Sequence, residues 1–536
     1  MELTWKGLKE REFWEEKDIL LPNYDAEKLA EYTVQDPRWV HFGIGNIFRL
    51  FIGGIADQLV SAGELDRGII CAETFDRDIV DKIYKPHDNL SLSVYLKNDG
   101  SREYRVIGSL SEAVKACPED SRDWERMKNI FRSPGLQMIS FTITEKGYAL
   151  TDVQGRLLPI VEKDLLKGPN EARSAMAIVT GLLFERFQSG GFPITLVSMD
   201  NCSQNGEKLR NAVLTVAKEW RKNQFVSDGF IDYISDEDKV SFPWTMIDKI
   251  TPRPRQDIAE ELKSMGIDDM EILVTEGNTY IAPYANGEEP QYLVIEDRFP
   301  GGRPLLEKAG VFMVDRDTVN KSERMKVTVC LNPIHTAVCT YGCMLNYELF
   351  ADAIQDPELN LLARRVGEKE GMDVVPDSGI LSPEKFLQEV LEVRFPNPYL
   401  GDTTQRIAVD ISQIVGIRFG EVIKAYVEKY GSAKELIGIP LAIAGWLRYL
   451  LAVDDEGNAF ELAPDPMASE LQVMLSTIQF GHPESFTGQL TPILSNEHLF
   501  GSNLYNAGIG GRIEEMFRRQ LTGPGAVRQT LKEYLA

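Results

Sequence analysis

The stretch RWVHFGIGNIFRLFIGGIADQL, residues 38–59, changes its hydrophobic period part-way along. An apolar run from Trp39 to Phe42 enters a glycine pair, Gly43 and Gly45, and leaves on Phe48, Phe51, Ile52 and Ile55, spaced as one face of a helix. A strand, a tight turn and a helix are therefore expected in that order. Glycine is needed where the backbone must pass close to a pyrophosphate, and the helix N-terminus behind it offers amide donors and a favourable dipole. Phe42, Gly43, Ile44, Gly45 and Asn46 are thus the candidate dinucleotide-contacting residues. Phe48 stands in the place of the third glycine of GxGxxG, and a lone GxG also fits an ordinary strand-to-helix turn.

The next apolar segment, GIICAETFD, ends in Glu73 with Asp76 close behind. Carboxylates at the end of a second strand can accept the ribose hydroxyls of NAD and repel the extra phosphate of NADP, so NAD is the cofactor expected. Glu73 lies 28 residues past Gly45, against a usual separation of about 20. The competing reading is a surface carboxylate in an acidic protein.

Further along, LQMISFTITEKGY (136–148) and FPITLVSMDNCSQNGEKLRNAVLTVA (192–217) each read as an apolar strand ending in polar residues, with ARSAMAIVTGLLFERF as a helix between them. This alternation predicts a parallel sheet. Asn201 falls at the carboxyl end of one of its strands, where ligands of open α/β sheets bind. WTMIDKITPRPR (244–255) presents Asp248 and Lys249 ahead of a proline-rich turn. After the turn-forming FPGGRP the pattern changes to helices such as PEKFLQEVLEVRF and IPLAIAGWLRYLLAV. The expected fold class is α/β, with a Rossmann-like N-terminal nucleotide-binding domain over 1–300 and a mainly α-helical C-terminal domain over 301–536.

At 536 residues the chain exceeds a single hydrophobic core. A formal charge of −24 argues against nucleic acid as a partner, because phosphate-backbone affinity comes from clustered Lys and Arg. No run of eighteen apolar residues is present, and MELTWKGLKEREFWEEKD has neither a basic n-region nor an apolar h-region, so the cytoplasm and no membrane are expected. The six cysteines do not suggest a disulfide framework. Cys339 and Cys343 have the spacing of half a zinc site, but no second half accompanies them, so buried thiols and no metal are expected.

A second stretch concentrates polar groups. ERMKVTVCLNPIHTAVCTYGCMLNY (323–347) sets Glu323, Lys326, Asn332 and His335 in an otherwise apolar segment. Buried polar groups need partners or a purpose. Asn332 and His335 share a face if the segment is helical from Asn332 on. Alternatively, Asn332 caps a helix that begins at Pro333.

GxG followed by Asn46 and Arg49, then TITEKGY, SMDN with QNG just after, MIDKITP, VIEDRFPGGRP, and ERMK with NPIHTA downstream resemble the polyol-specific long-chain dehydrogenase/reductase family. The motifs run in matching order over roughly residues 38–420. The resemblance implies an NAD-dependent, metal-independent secondary-alcohol dehydrogenase with its active site between the two domains. It implies interconversion of a keto-sugar acid and its hydroxy acid, of the fructuronate/mannonate type. A mannitol-type polyol dehydrogenase is the alternative among enzymes, and a non-catalytic nucleotide-binding protein is the alternative from another class. By family position Lys326 is the general acid/base, followed by the amide of Asn332 and the imidazole of His335. Asn201 is the second asparagine at the reacting oxygen, and Glu323 links the lysine to solvent. Asp248 is a substrate-side position and Arg406 a substrate-binding cation, with Lys249 in reserve. These roles suit the chemistry. Hydride transfer at a carbinol carbon leaves a proton to be managed at the oxygen, which a lysine can do when burial and neighbours bring its pKa toward the working pH. Two amides then stabilise the developing charge.

The chain departs from the family in two places. Lys326 and Asn332 are six apart where the family has five, and Ile414 stands where the family has a second substrate-binding cation, a lysine. At about 100° per residue an unbroken α-helix would send Lys326 and His335 to opposite sides. An irregularity between Val327 and Pro333 is therefore predicted, a π-bulge or a break, returning both groups to one pocket facing Asn201.

Overall fold

In the computed structural model, which describes residues 1–152 and 154–536, the run at the head of the glycine turn is a strand, β1 (Trp39–Phe42). It is central to a six-stranded sheet with β2 (Ile69–Glu73), β3 (Leu110–Lys115), β4 (Met138–Phe141), β5 (Ile194–Ser198) and β6 (Val240–Ser241). All pairings are parallel and the order is β3-β2-β1-β4-β5-β6. That is the doubly wound Rossmann order, whose direction reverses between β1 and β4, and it is outside the carboxyl ends of the strands at such a reversal that open α/β sheets bind ligands.

The strands read as continuous apolar runs because both faces of the sheet are covered. Val40, Phe42, Ile70, Ala72, Ile139 and Phe141 point into one core. The alternate residues Trp39, Ile69, Cys71 and Met138 point into the other. A hairpin of Ser91–Leu96 and Arg102–Ile107 forms a second sheet with Ile19–Leu20 and Tyr284–Glu288. Thr245–Asp248, Tyr292–Glu296 and Phe312–Val314 form a third.

The chain divides into two compact units, Met1–Asn320 and Lys321–Ala536. The first continues past the FPGGRP turn because Phe312–Val314 returns to pair in parallel with Tyr292–Glu296. The second is helical. At its centre Asn332–Met344 is buried on almost every side, and Gly445 of helix Gly438–Tyr449 packs so tightly on it that a Cβ would meet the Tyr341 ring at 2.4 Å. Tyr341 also donates to the Leu441 carbonyl at 2.8 Å, which fixes one helix along the other. No helix among the described residues is long and apolar enough to cross a membrane.

Candidate functional site

Gly43 holds φ +87°, and a Cβ there would meet the Thr142 carbonyl oxygen at 2.2 Å. Only glycine satisfies both the left-handed backbone and the approach to the residue after β4. Gly45 is different: nothing lies within 4 Å of where its Cβ would be. That open space, at the start of the helix that runs from Asn46, fits a pyrophosphate. Arg49, fully buried, donates to the Asn46 side chain at 2.8 Å and to the Ala282 carbonyl, which holds Asn46 in place. Phe48, in the third-glycine position, is buried flat against His41, with ring centroids 4.1 Å apart, and the turn Phe48–Ile52 is π-helical.

Beneath the turn runs a chain of hydrogen bonds with one possible direction. Thr142 Oγ1 donates to the Gly43 carbonyl at 2.7 Å, so it must accept from His41 Nε2 at 2.8 Å. His41 Nδ1 therefore accepts from Ser140 Oγ at 2.6 Å, and Ser140 accepts from Trp39 Nε1 at 2.7 Å. Burial pushes the His41 pKa down to about 3, so the ring stays neutral and the order of donors is preserved.

Glu73 is buried at the end of β2, and its carboxylate accepts the amides of Ile44, Thr74 and Phe75. It ties the glycine turn to the second strand, and burial raises its pKa despite those amides. Asp76 is half-buried and accepts from Thr275 Oγ1 at 2.6 Å. Arg77 pairs with Glu119 at 3.2 Å.

After β5, Asp200 accepts the amides of Ile143 and Thr144 and the Tyr148 hydroxyl. Burial raises its pKa, and those donors oppose the rise. This clasp joins the segments that follow β4 and β5 and sets the exposed Asn201 just beyond them. Asp248 is buried at the end of its strand. Lys249, also buried, donates to the carbonyls of Glu288 and Glu289, with its amine 5.0 Å from the Tyr95 ring centroid.

In the second unit Lys326 is 1% exposed and opens a π-helical turn, Lys326–Cys330, closed by Leu331 N–H donating to the Lys326 carbonyl at 3.1 Å. Leu331 then leaves helical geometry at φ −133°, ψ −65°, and a new helix starts at Asn332. The predicted irregularity is present as both a π-turn and a break. The capping alternative for Asn332 does not hold: Asn332 is the helix's first residue, and no side-chain cap bond is made. Its half-buried side-chain amide makes no hydrogen bond among the described residues. The His335 ring stacks on Phe395 at 4.7 Å and meets the edge of Phe350 at 4.5 Å, so its plane is set by packing. Glu323 is buried in the last turn of Arg316–Met325. Arg406 is exposed and pairs with Asp402.

Family comparison covers both units. Residues 37–280 match the mannitol dehydrogenase Rossmann domain and residues 318–505 the mannitol dehydrogenase C-terminal domain. The chain belongs to the mannitol dehydrogenase family. It is 51% identical over 536 residues to the D-mannonate oxidoreductase of Thermotoga maritima, covering 99% of each chain. It is 31% identical to the Escherichia coli D-mannonate oxidoreductase, covering 85% of this chain and 87% of that one. A mannitol 2-dehydrogenase of Pseudomonas fluorescens, solved as a ternary complex with NAD and D-mannitol, aligns with a TM-score of 0.72 and 26% identity, covering 100% and 99% of the two chains.

In this member of the mannitol dehydrogenase family, Cys339 and Cys343 are buried thiols, and desolvation raises both pKa values, that of Cys343 to about 11. Among the described residues no group of three His, Cys, Asp or Glu could hold a metal ion. Two further residues, Asp200 and Arg418, shape these regions. Asp200 is the third letter of SMDN, directly before Asn201. Arg418 lies four residues past Ile414, about one helical turn on, and donates to Thr336 Oγ1 at 2.6 Å.

Proposed function

We propose that this chain is an NAD-dependent oxidoreductase that interconverts fructuronate and mannonate. The observation that carries the reading is the 51% identity to a D-mannonate oxidoreductase along 99% of both chains. Bound NAD(H) supplies or takes the hydride at the carbinol carbon. The open space over Gly45 and the Asn46 amide end of the helix suit its pyrophosphate. Asp76, with Glu73 behind it, makes the ribose end acidic, which favours NAD.

Lys326 holds or takes the proton at the reacting oxygen. Its burial supports that role, because a desolvated amine exchanges its proton with substrate rather than with bulk water. Asn332, with its unspent amide, and Asn201 donate to the same oxygen, and His335 orients the lysine or adds a third donor. Glu323 relays protons outward. Asp248 stands on the substrate side.

The test is oxidation of NADH, followed by absorbance, with a panel of keto-uronates and neutral ketoses. Fructuronate is expected to exceed fructose in kcat/KM by at least two decades. Turnover of mannitol and fructose with none of uronates would replace this reading by the polyol dehydrogenase one.

A further inference from the structure

Arg418 sits in the π-helical turn Gly416–Gly420, which packs against both the Lys326–Cys330 turn and the helix that begins at Asn332. The turn is pressed home by two close approaches, since a Cβ on Gly416 would meet the Leu499 carbonyl oxygen at 2.8 Å and one on Gly420 would overlap that of Phe500. Arg418 is therefore on a fixed backbone, in a turn packed against the one that Lys326 opens.

Its bonding is unusual for a desolvated arginine. Arg186 and Arg448 are fully buried where Arg418 is half-buried, and each spends its guanidinium on several backbone carbonyls. Arg418 has five N–H donors, and among the described residues it makes a single hydrogen bond, to the Thr336 hydroxyl, and no ion pair. Thr336 in turn donates to the Asn332 carbonyl at 3.2 Å. The guanidinium is thus anchored by one corner to the first turn of the helix that carries Asn332 and His335, with its remaining donors unspent. Burial lowers its pKa to about 10, so it is charged throughout the physiological range. A half-desolvated cation with an unspent planar edge is suited to a bidentate carboxylate, and the nearby helix N-terminus adds to the attraction. Arg406 is a weaker candidate, being exposed and already neutralised by Asp402.

We propose that Arg418 is the specificity-determining residue that takes the carboxylate of the sugar acid, with Thr336 as its positioning partner. This rests on the fructuronate/mannonate reading.

The experiment compares wild type, Arg418→Ala, Arg418→Gln, Arg418→Lys and Arg406→Ala. For each, kcat and KM are measured on fructuronate and on fructose, with NADH affinity by fluorescence and mannonate binding by calorimetry. Removing the guanidinium is expected to raise KM for fructuronate and weaken mannonate binding by about 100-fold. NADH affinity and activity on fructose should stay within a few-fold, and lysine should restore part of the loss. Equal losses on both substrates, no loss at all, or selective loss in Arg406→Ala instead would overturn the assignment to Arg418. Wild type that neither turns over fructuronate nor binds mannonate would refute the sugar-acid reading and this inference with it. Should the alanine variant not fold, the glutamine variant carries the same comparison.

Discussion

Two glycines two residues apart should respond to the same substitution in opposite ways. Alanine at Gly43 would be held at φ +87° with its Cβ 2.2 Å from the Thr142 carbonyl oxygen. The left-handed backbone costs roughly 1–2 kcal/mol for a residue with a Cβ. Forcing β1 and the segment after β4 apart adds about 1–3 kcal/mol of overpacking. Gly43→Ala should therefore lose about 2–5 kcal/mol whether or not cofactor is present. At about 2 °C per kcal/mol for a large domain, that is about 4–10 °C in the first unfolding transition. Alanine at Gly45 meets nothing within 4 Å. Its folded-state cost is about the cap preference of glycine over alanine, up to ~1 kcal/mol. The new methyl would occupy the space assigned to the pyrophosphate, so NADH affinity should fall about 10- to 100-fold, or ~1.4–2.7 kcal/mol. Thermal unfolding with and without NADH, and fluorescence titration of NADH, separate the two. Gly45→Ala binding NADH like the parent would refute the placement of the cofactor over this turn. Gly43→Ala as stable as the parent would refute the strain calculation.

Lys326→Ala should lower turnover by roughly two to four decades with little change in NADH affinity, as stopped-flow reduction and titration would reveal; near-normal turnover would mean that another residue manages the proton. NADH should be preferred over NADPH, because Glu73 closes β2, Asp76 follows it, and Arg77 is engaged by Glu119; equal kcat/KM with the two coenzymes would sink this assignment. Asp356 links two helices of the second unit, accepting from Arg528, Tyr347 Oη and the Leu359 amide. Burial would raise its pKa, but these donors outweigh it and hold it below the ordinary 3.8. A carboxylate depressed in the folded state contributes stability above its unfolded pKa and loses it as pH falls through the folded one. Asp356→Asn should therefore cost ~1–3 kcal/mol at pH 7, and the difference from wild type, by denaturant titration, should start to shrink near pH 3.8 and vanish only below the lower folded pKa; a difference unchanged at low pH would show that charge plays no part.

The sheet was legible because its physics is local. Each strand is buried on both faces and so reads as an apolar run, and the glycine turn announces the crossover. The hairpin at 91–107 also had its signal, the KNDGS turn between two β-rich runs. Where the first unit ends was not legible. Phe312–Val314 is three residues long, and its place in a sheet depends on a partner strand that no local pattern identifies. The site was legible by residue type but not by occupation. Glu73 could be read as a ribose acceptor, yet nothing in GIICAETFD tells that its carboxylate also fastens Ile44. Lys249 could be read as a spare cation, yet its amine turns onto carbonyls nearly forty residues downstream in sequence. Nothing in GIRFG sets Arg418 apart in sequence, because the single bond it makes, to Thr336 some eighty residues upstream, exists only in three dimensions.

The extra residue between Lys326 and Asn332 bears on how such a site tolerates change. In a continuous helix an insertion rotates everything downstream by about 100°, and His335 would be carried away from the lysine together with the packing of the whole Asn332–Met344 helix. That helix cannot rotate: Tyr341 is pinned to Leu441 and pressed on Gly445, and a Cβ on Gly342 would meet Thr404 at 2.7 Å. The insertion must therefore be absorbed before Asn332. The i→i+5 bond from Leu331 to Lys326 takes up one residue, and the non-helical Leu331 uncouples the phase of the Asn332–Met344 helix from that of the turn before it. π-Turns occur elsewhere in this chain, at Val80–Tyr84 and Val390–Arg394 for example, so such a turn does not by itself mark a site. At Lys326 a helix is locked downstream, and if the lysine manages the proton as proposed, its side chain must be held upstream, so the backbone gives way between them.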